Sequence, residues 1–129
     1  MSAQRSIIST EKAPAAVGPY SQAVRIGDLV YTAGQIPLDP ETGTMVSGTI
    51  EVQTRQVLAN MKAVLEAADS GLERIVKMTV FMIDLGQFAQ MNAVYAEFFP
   101  DAPPARSAVE VSALPLGAMI EMEAVAISG

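Results

Sequence analysis

Residues 103–127 read Pro-Pro-Ala-Arg-Ser-Ala-Val-Glu-Val-Ser-Ala-Leu-Pro-Leu-Gly-Ala-Met-Ile-Glu-Met-Glu-Ala-Val-Ala-Ile. The spacing predicts two strands, Ala105 to Val111 and Ala118 to Ile127, separated by the Leu114-Pro115-Leu116-Gly117 loop. Side chains of a strand alternate sides, so Ile120, Met122, Ala124 and Ala126 make one unbroken apolar face, and Met119, Glu121, Glu123, Val125 and Ile127 make the other. Arg106 is the one cation in a short, otherwise uncharged approach to an apolar strand, and Glu121 is a carboxylate in an equally apolar one. Such groups are rarely buried unless paired or working. They are therefore either an ion pair between neighbouring strands or parts of a site.

Upstream, Arg74 to Ile83 is apolar on both faces, with Val76, Met78, Val80 and Met82 on one and Ile75, Phe81 and Ile83 on the other, where Lys77 and Thr79 interrupt. That pattern predicts a central strand. Between about Ile50 and Ala68, Val57, Met61, Val64, Leu65 and Ala68 recur with a helical period, while Gln56, Asn60, Lys62 and Glu66 fall off the stripe. Thr49 is the predicted N-cap, Glu51 suits the positive helix start, and Ser70-Gly71 ends the helix. Asp84-Leu85-Gly86-Gln87 has capping-box spacing, and Phe88, Met91, Tyr95 and Phe98 follow on one helical face as far as Pro100. Asn92, one turn from Phe88, either flanks that stripe or is a solvated surface amide.

Nearer the N-terminus, Ala23 to Ile26 and Leu29 to Ala33 flank Gly27-Asp28, a hairpin signal because glycine supplies positive φ. Ser6 to Ile8 reads as a short edge strand. Two prolines and a glycine make 13–20 a loop with Tyr20 at its exit, and 36–48 is a second loop. Each predicted helix joins two strands, as right-handed crossovers do. If both helices lie on one side, the other face of the sheet has no cover within the chain. The expectation is a single α+β domain over 1–129, a mixed sheet with two helices packed on one face, oligomerising through the open face.

Composition narrows the chemistry. The 129 residues include no histidine and no cysteine, which removes Ser-His-Asp triads, thiolate nucleophiles, disulfides and the common zinc ligand sets. Fourteen acidic against eight scattered basic residues give a net charge of −6, which argues against nucleic acid or an anionic membrane as partner. No phosphate-binding glycine loop occurs, no close acidic cluster proposes a metal, and no cofactor is expected. Residues 1–13 hold no apolar run of signal-peptide length and nothing elsewhere approaches a membrane span, so a cytoplasmic location is expected.

Several blocks together carry a resemblance: Ala13-Pro14-Ala15-Ala16-Val17-Gly18-Pro19-Tyr20-Ser21-Gln22, Thr32-Ala33-Gly34-Gln35-Ile36-Pro37, Asn92-Ala93-Val94-Tyr95, Pro104-Ala105-Arg106-Ser107 and Glu121-Met122-Glu123-Ala124-Val125-Ala126. In this order they resemble the Rid, or YjgF, family of reactive intermediate deaminases, often labelled endoribonuclease L-PSP. The resemblance implies a chorismate-mutase-like subunit, a homotrimer with sites between subunits, and hydrolysis of 2-imino acids derived from enamines such as 2-aminoacrylate or 2-aminocrotonate. Position by position it implies Arg106 as carboxylate binder, Glu121 as the acid associated with water, Tyr20 as the site tyrosine, Asn92 as the site asparagine, and Gly34 and Ala108 as substrate-binding positions. Glu123 is the structural acid of its block. Ala108 stands where the family often has cysteine and Ala33 where it often has serine. The family uses the main chain at the first position, so the missing thiol need not abolish activity, whereas the missing hydroxyl bears on substrate preference.

The residues suit that chemistry in their own right. A guanidinium clamps a planar carboxylate with two charge-assisted hydrogen bonds, and a glutamate in an apolar strand, its pKa raised by burial, can accept a proton from an attacking water. A non-catalytic binder of small carboxylates would use the same Arg106. An endoribonuclease or translation inhibitor is the third reading, opposed by the acidic balance and the lack of histidine.

Overall fold

The alternation in 118–127 becomes the middle of a sheet. The computed structural model describes residues 4–129, so the first three residues of the predicted 1–129 domain lie outside the described residues. In chain order the elements are β1 (Arg5–Ile8), β2 (Ala23–Ile26), β3 (Leu29–Thr32), α1 (Ile50–Ala67), β4 (Ile75–Met82), α2 (Phe88–Phe98), β5 (Ala105–Glu110) and β6 (Ile120–Ile127), with short 3₁₀ turns before β4, α2 and β6. One six-stranded sheet runs β1-β2-β3-β6-β4-β5. Strand β6 is antiparallel to both β3 and β4, and β4 is parallel to β5. Each helix thus connects two strands that point the same way, and both lie on one face of this α+β domain, where their buried stripes share a core with the sheet.

Local signals hold where they were read. Ile26 faces Leu29 across the hairpin, with Gly27 at φ 57°. The Thr49 hydroxyl accepts a hydrogen bond from the Val52 N–H at 3.3 Å and caps α1. After α1 the chain turns at Asp69, φ 56°, and the Ser70 N–H returns to the Leu65 carbonyl. Asp84 caps as expected, but through the Gly86 N–H at 2.8 Å, on a 3₁₀ turn, so that α2 begins only at Phe88. Pro100 explains its end, because the residue before a proline is pushed out of the helical region and Phe99 has left it, at φ −129° and ψ 66°.

Two expectations are corrected. A β-bulge between the Ile75–Ala126 and Lys77–Val125 pairs places Val76 outside the ladder. Val76 is exposed, and Ile75, not Val76, joins Met78, Val80 and Met82 under the helices; one extra residue is enough to exchange faces. Asn60, read as off the apolar stripe of α1, is buried at 1% exposure, with Gln53 and Thr54 beside it in the buried set.

The face away from the helices carries apolar residues left exposed by the described residues, Ile7, Leu29, Tyr31, Val109 and Ile127, with Phe81 half-buried among them. No helix among the described residues is long and apolar enough to cross a membrane.

Candidate functional site

Glu121 pairs across the ladder with Phe81 and so stands on the open face of the sheet. Beside it β3 is irregular. From the Tyr31–Val125 pair to the Gln35–Met122 bridge the first strand advances four residues and the second three, which leaves one residue extra at Ala33–Gly34. This bulge brings the Gly34 backbone against the Glu121 carboxylate so closely that any Cβ at residue 34 would collide with Glu121 Oε2. The constraint at residue 34 is one of proximity and not of backbone angle: a side chain there would have to push the Glu121 carboxylate aside. Glu121, Gly34 and Tyr20 line one cavity of about 570 Å³, with Pro14, Val17, Ile36, Leu38 and Leu116 among its apolar walls. Burial pushes the Glu121 carboxyl above the usual carboxylate range, and the neighbouring Glu123 pushes it further in the same direction. Glu123, on the same face but exposed, is outside the cavity lining.

Tyr20 is held by its loop: its hydroxyl accepts from the Val17 N–H at 3.2 Å. The loop is held in turn by Gln22, whose buried amide accepts from the Thr10 N–H at 2.7 Å and donates to the carbonyls of Thr10 at 3.0 Å and Pro14 at 2.8 Å.

Arg106 lies elsewhere. It pairs with Met78, a residue buried beneath the helices, so its side chain rises on the helix face near the β5 edge. Its guanidinium carbon is 4.7 Å from the centroid of the Tyr95 ring and 5.2 Å from that of Phe88. Both rings come from α2, seven residues apart and hence on one face of the helix. Asn92, between them in sequence, lines a shallow hollow with Tyr95, Pro104 and Arg106; Phe88, Arg106 and Ala108 line another next to it. The ion pairs among the described residues are Arg25–Asp69 and Arg55–Glu97, so Arg106 has aromatic support and no carboxylate. Burial raises the Tyr95 hydroxyl above its ordinary pKa, partly offset by the Arg106 charge, and that hydroxyl has no hydrogen-bond partner among the described residues.

The candidates therefore fall into two groups: Tyr20, Gly34 and Glu121 on the open face, and Asn92, Arg106 and Ala108 on the helix face. The ion pair between neighbouring strands does not exist, because β4 separates Arg106 from Glu121 and the two project from opposite faces. Sequence reading missed Phe88 and Tyr95 as the aromatic seat of Arg106, although their seven-residue spacing was a usable signal. It also missed Gln22, whose partners are all main-chain groups that no residue pattern announces.

Residues 10–128 match the endoribonuclease L-PSP family. The chain belongs to this family, which is also known as YjgF or Rid. Among curated members of the family it is 54% identical over 122 residues to a RutC family protein of Pyrococcus abyssi, covering 95% of this chain and 96% of that one. It is 48% identical over 125 residues to the chloroplastic Reactive Intermediate Deaminase A of Arabidopsis thaliana, covering 97% of this chain and 67% of the relative. Among solved structures in the family, E. coli TdcF with bound serine superposes with a TM-score of 0.91 at 43% identity, covering 96% of this chain and 99% of that chain.

Proposed function

We propose that the protein hydrolyses small 2-imino acids, formed from enamines such as 2-aminoacrylate, to 2-keto acids and ammonia. The observation that carries the reading is Arg106: a half-buried guanidinium seated on two rings, free of any carboxylate among the described residues, is suited to take the carboxylate of a substrate. In this reading the bound 2-imino acid is attacked at its imine carbon by water, whose proton passes to Glu121. Glu121 passes that proton to the nitrogen to give the hydroxy-amine, the second water proton follows the same route from oxygen through Glu121 to nitrogen as the carbonyl forms, and the C–N bond breaks to release ammonia. An imine is electrophilic enough that this route needs no covalent enzyme intermediate.

One subunit holds Arg106 and Glu121 on opposite faces of its sheet, too far apart in topology for one small molecule. The reading therefore includes a homotrimer in which Arg106 of one protomer meets the Tyr20, Gly34 and Glu121 cavity of the next, joined through the apolar open face. The Arabidopsis relative's name supports the chemistry, and the serine in TdcF supports recognition of a small amino-acid-like carboxylate in this fold. The family's endoribonuclease label finds no counterpart here in a basic groove or a histidine, with a net charge of −6.

The test is a coupled assay in which a dehydratase generates the imine and its decay is followed optically. Decay faster than background, from a protein that light scattering finds trimeric, is the expected result. Decay at the background rate across several parent amino acids, with carboxylate binding retained, would leave the non-catalytic binder, and a monomer at micromolar concentration would remove the composite site.

A further inference from the structure

The cavity around Glu121 is walled largely by loops, and α1 holds two of them. Gln53 and Asn60 are seven residues apart, so they point from the same side of the helix, on the stripe that also carries Val57 and Val64. They are 4% and 1% exposed. An amide in that position is unfavourable unless its donors and acceptors are met, and a leucine would fill similar space without that demand. Both amides are met, chiefly by main-chain groups of loops. Asn60 Nδ2 donates to the carbonyls of Ile36 at 3.2 Å and Leu38 at 2.9 Å, while its Oδ1 accepts from Gln56 Nε2 at 2.9 Å. Gln53 Nε2 donates to the Val46 carbonyl at 3.0 Å, and its Oε1 accepts from the Met119 N–H at 2.9 Å. The Val46 N–H in turn donates to the Pro37 carbonyl, which closes the 37–46 loop on itself.

These bonds surround Glu121. Ile36 and Leu38 line its cavity and lie two and four residues after Gly34, the residue packed under the carboxylate. Met119 ends the loop whose Pro115 and Leu116 line the cavity from the other side, and it stands two residues before Glu121. A single rigid helix thus fixes both walls, with one amide two turns from the other.

We propose that Gln53 and Asn60 are positioning residues for Glu121, acting through the 34–46 and 114–119 loops to keep its carboxylate packed against Gly34 and shielded from bulk water. This rests on the proposed role of Glu121 as proton acceptor. Loss of either amide leaves the fold in place and loosens the walls, and misplacement of a reacting group by about 1 Å costs on the order of a hundredfold in rate.

The experiment compares the full-length wild type with Gln53→Met and Asn60→Leu, which conserve volume and remove the bonds, and with Val57→Ala, which weakens the same stripe without touching a loop. Two readouts are taken: the split between kcat and KM for imine hydrolysis, and the titration of Glu121 followed by NMR on protein labelled with ¹³C at glutamate carboxylates. The titratable groups facing Glu121 are Glu123 on its own strand and Tyr20 across the cavity; Tyr31 on β3 and Lys77 on β4 lie further along the sheet, both opposite Val125. None of them is altered by these variants. Both amide variants are expected to lower kcat by about tenfold or more with KM little changed. The Glu121 midpoint should fall toward that of a hydrated carboxylate, while Val57→Ala moves neither. If the amide variants are too unstable to purify, Gln56→Ala, which removes only the bond orienting Asn60, should shift the Glu121 midpoint the same way by less. An unchanged midpoint in the folded variants overturns the proposal, as does an equal shift in Val57→Ala. A wild type without turnover would defeat the deaminase reading alone, since the titration still decides whether the amides control the carboxylate.

Discussion

The two halves of the candidate site are built on opposite principles. Arg106 stands on a regular strand and leans on rings from a regular helix, with no loop involved in its support. Glu121 stands on an equally regular strand, but what surrounds it is a bulge and three loops tied down by side-chain amides. The difference follows from the charges. A guanidinium stays protonated in any protein setting, so it needs only aim, and rigid aromatic packing supplies that. A carboxylate proposed to accept a proton near neutrality is helped by a raised pKa, and burial is the larger cause that raises that of Glu121.

The largest expected effect breaks the first half. Arg106→Ala should lose a bidentate contact to a desolvated carboxylate, about 2 to 5 kcal/mol, which is on the order of thirtyfold to several thousandfold in kcat/KM. Arg106→Lys should recover little, because a point charge cannot reproduce the fork. Steady-state kinetics on the imine-generating assay reads both, and a fully active Arg106→Ala protein would remove the carboxylate clamp.

Joining the halves is tested by mixing. Arg106→Ala and Glu121→Gln proteins, each nearly inactive, should regain about one quarter of wild-type activity when unfolded and refolded together in equal amounts, because random assembly of the proposed trimer gives one intact composite site in four. No recovery despite subunit exchange would place both residues in one chain's site or in none.

The second half is more finely tuned and so should fail by smaller steps. Gly34→Ala puts a methyl where Glu121 Oε2 lies and forces the carboxylate aside. Its kcat should fall on the order of tenfold to a hundredfold with the oligomeric state unchanged. The smallest effect concerns pH. A base works only when deprotonated and the Glu121 pKa is raised, so activity should drop as pH falls through a midpoint above the ordinary carboxylate range. Glu123→Gln removes the lesser of the two causes, so the acidic limb of the profile should move to lower pH with the plateau unchanged. Glu121→Gln should abolish that limb along with most of the turnover. A limb that persists in Glu121→Gln would assign the base to another group.

Much of this architecture was legible residue by residue. Alternation over 120–127, the helical stripes of 50–67 and 88–98, the Gly27-Asp28 turn and the Thr49 cap are local, and each depends on neighbours within a few positions. The uncovered sheet face was legible too, because an apolar strand with both helices on one side leaves its other face bare. Arg106 and Glu121 stood out as candidates because a chain without histidine or cysteine leaves few groups for chemistry.

What the sequence determined by itself is therefore the inventory: which segments are strands or helices, which faces are apolar, and which few groups are fit for chemistry. The tertiary structure decided their relation. Alternation says which residues of one strand share a side, but which side that is relative to another strand depends on pairing, and a single bulged residue reverses it, as Val76 does in β4 and Ala33–Gly34 beside β6. For the same reason Arg106 and Glu121, both on apolar strands of one short stretch, emerge on opposite faces of the sheet. The supporting amides were hidden by a related limit: Gln22, Gln53 and Asn60 bond to main-chain groups as many as 66 residues away, and every residue type presents the same carbonyl and, proline apart, the same N–H.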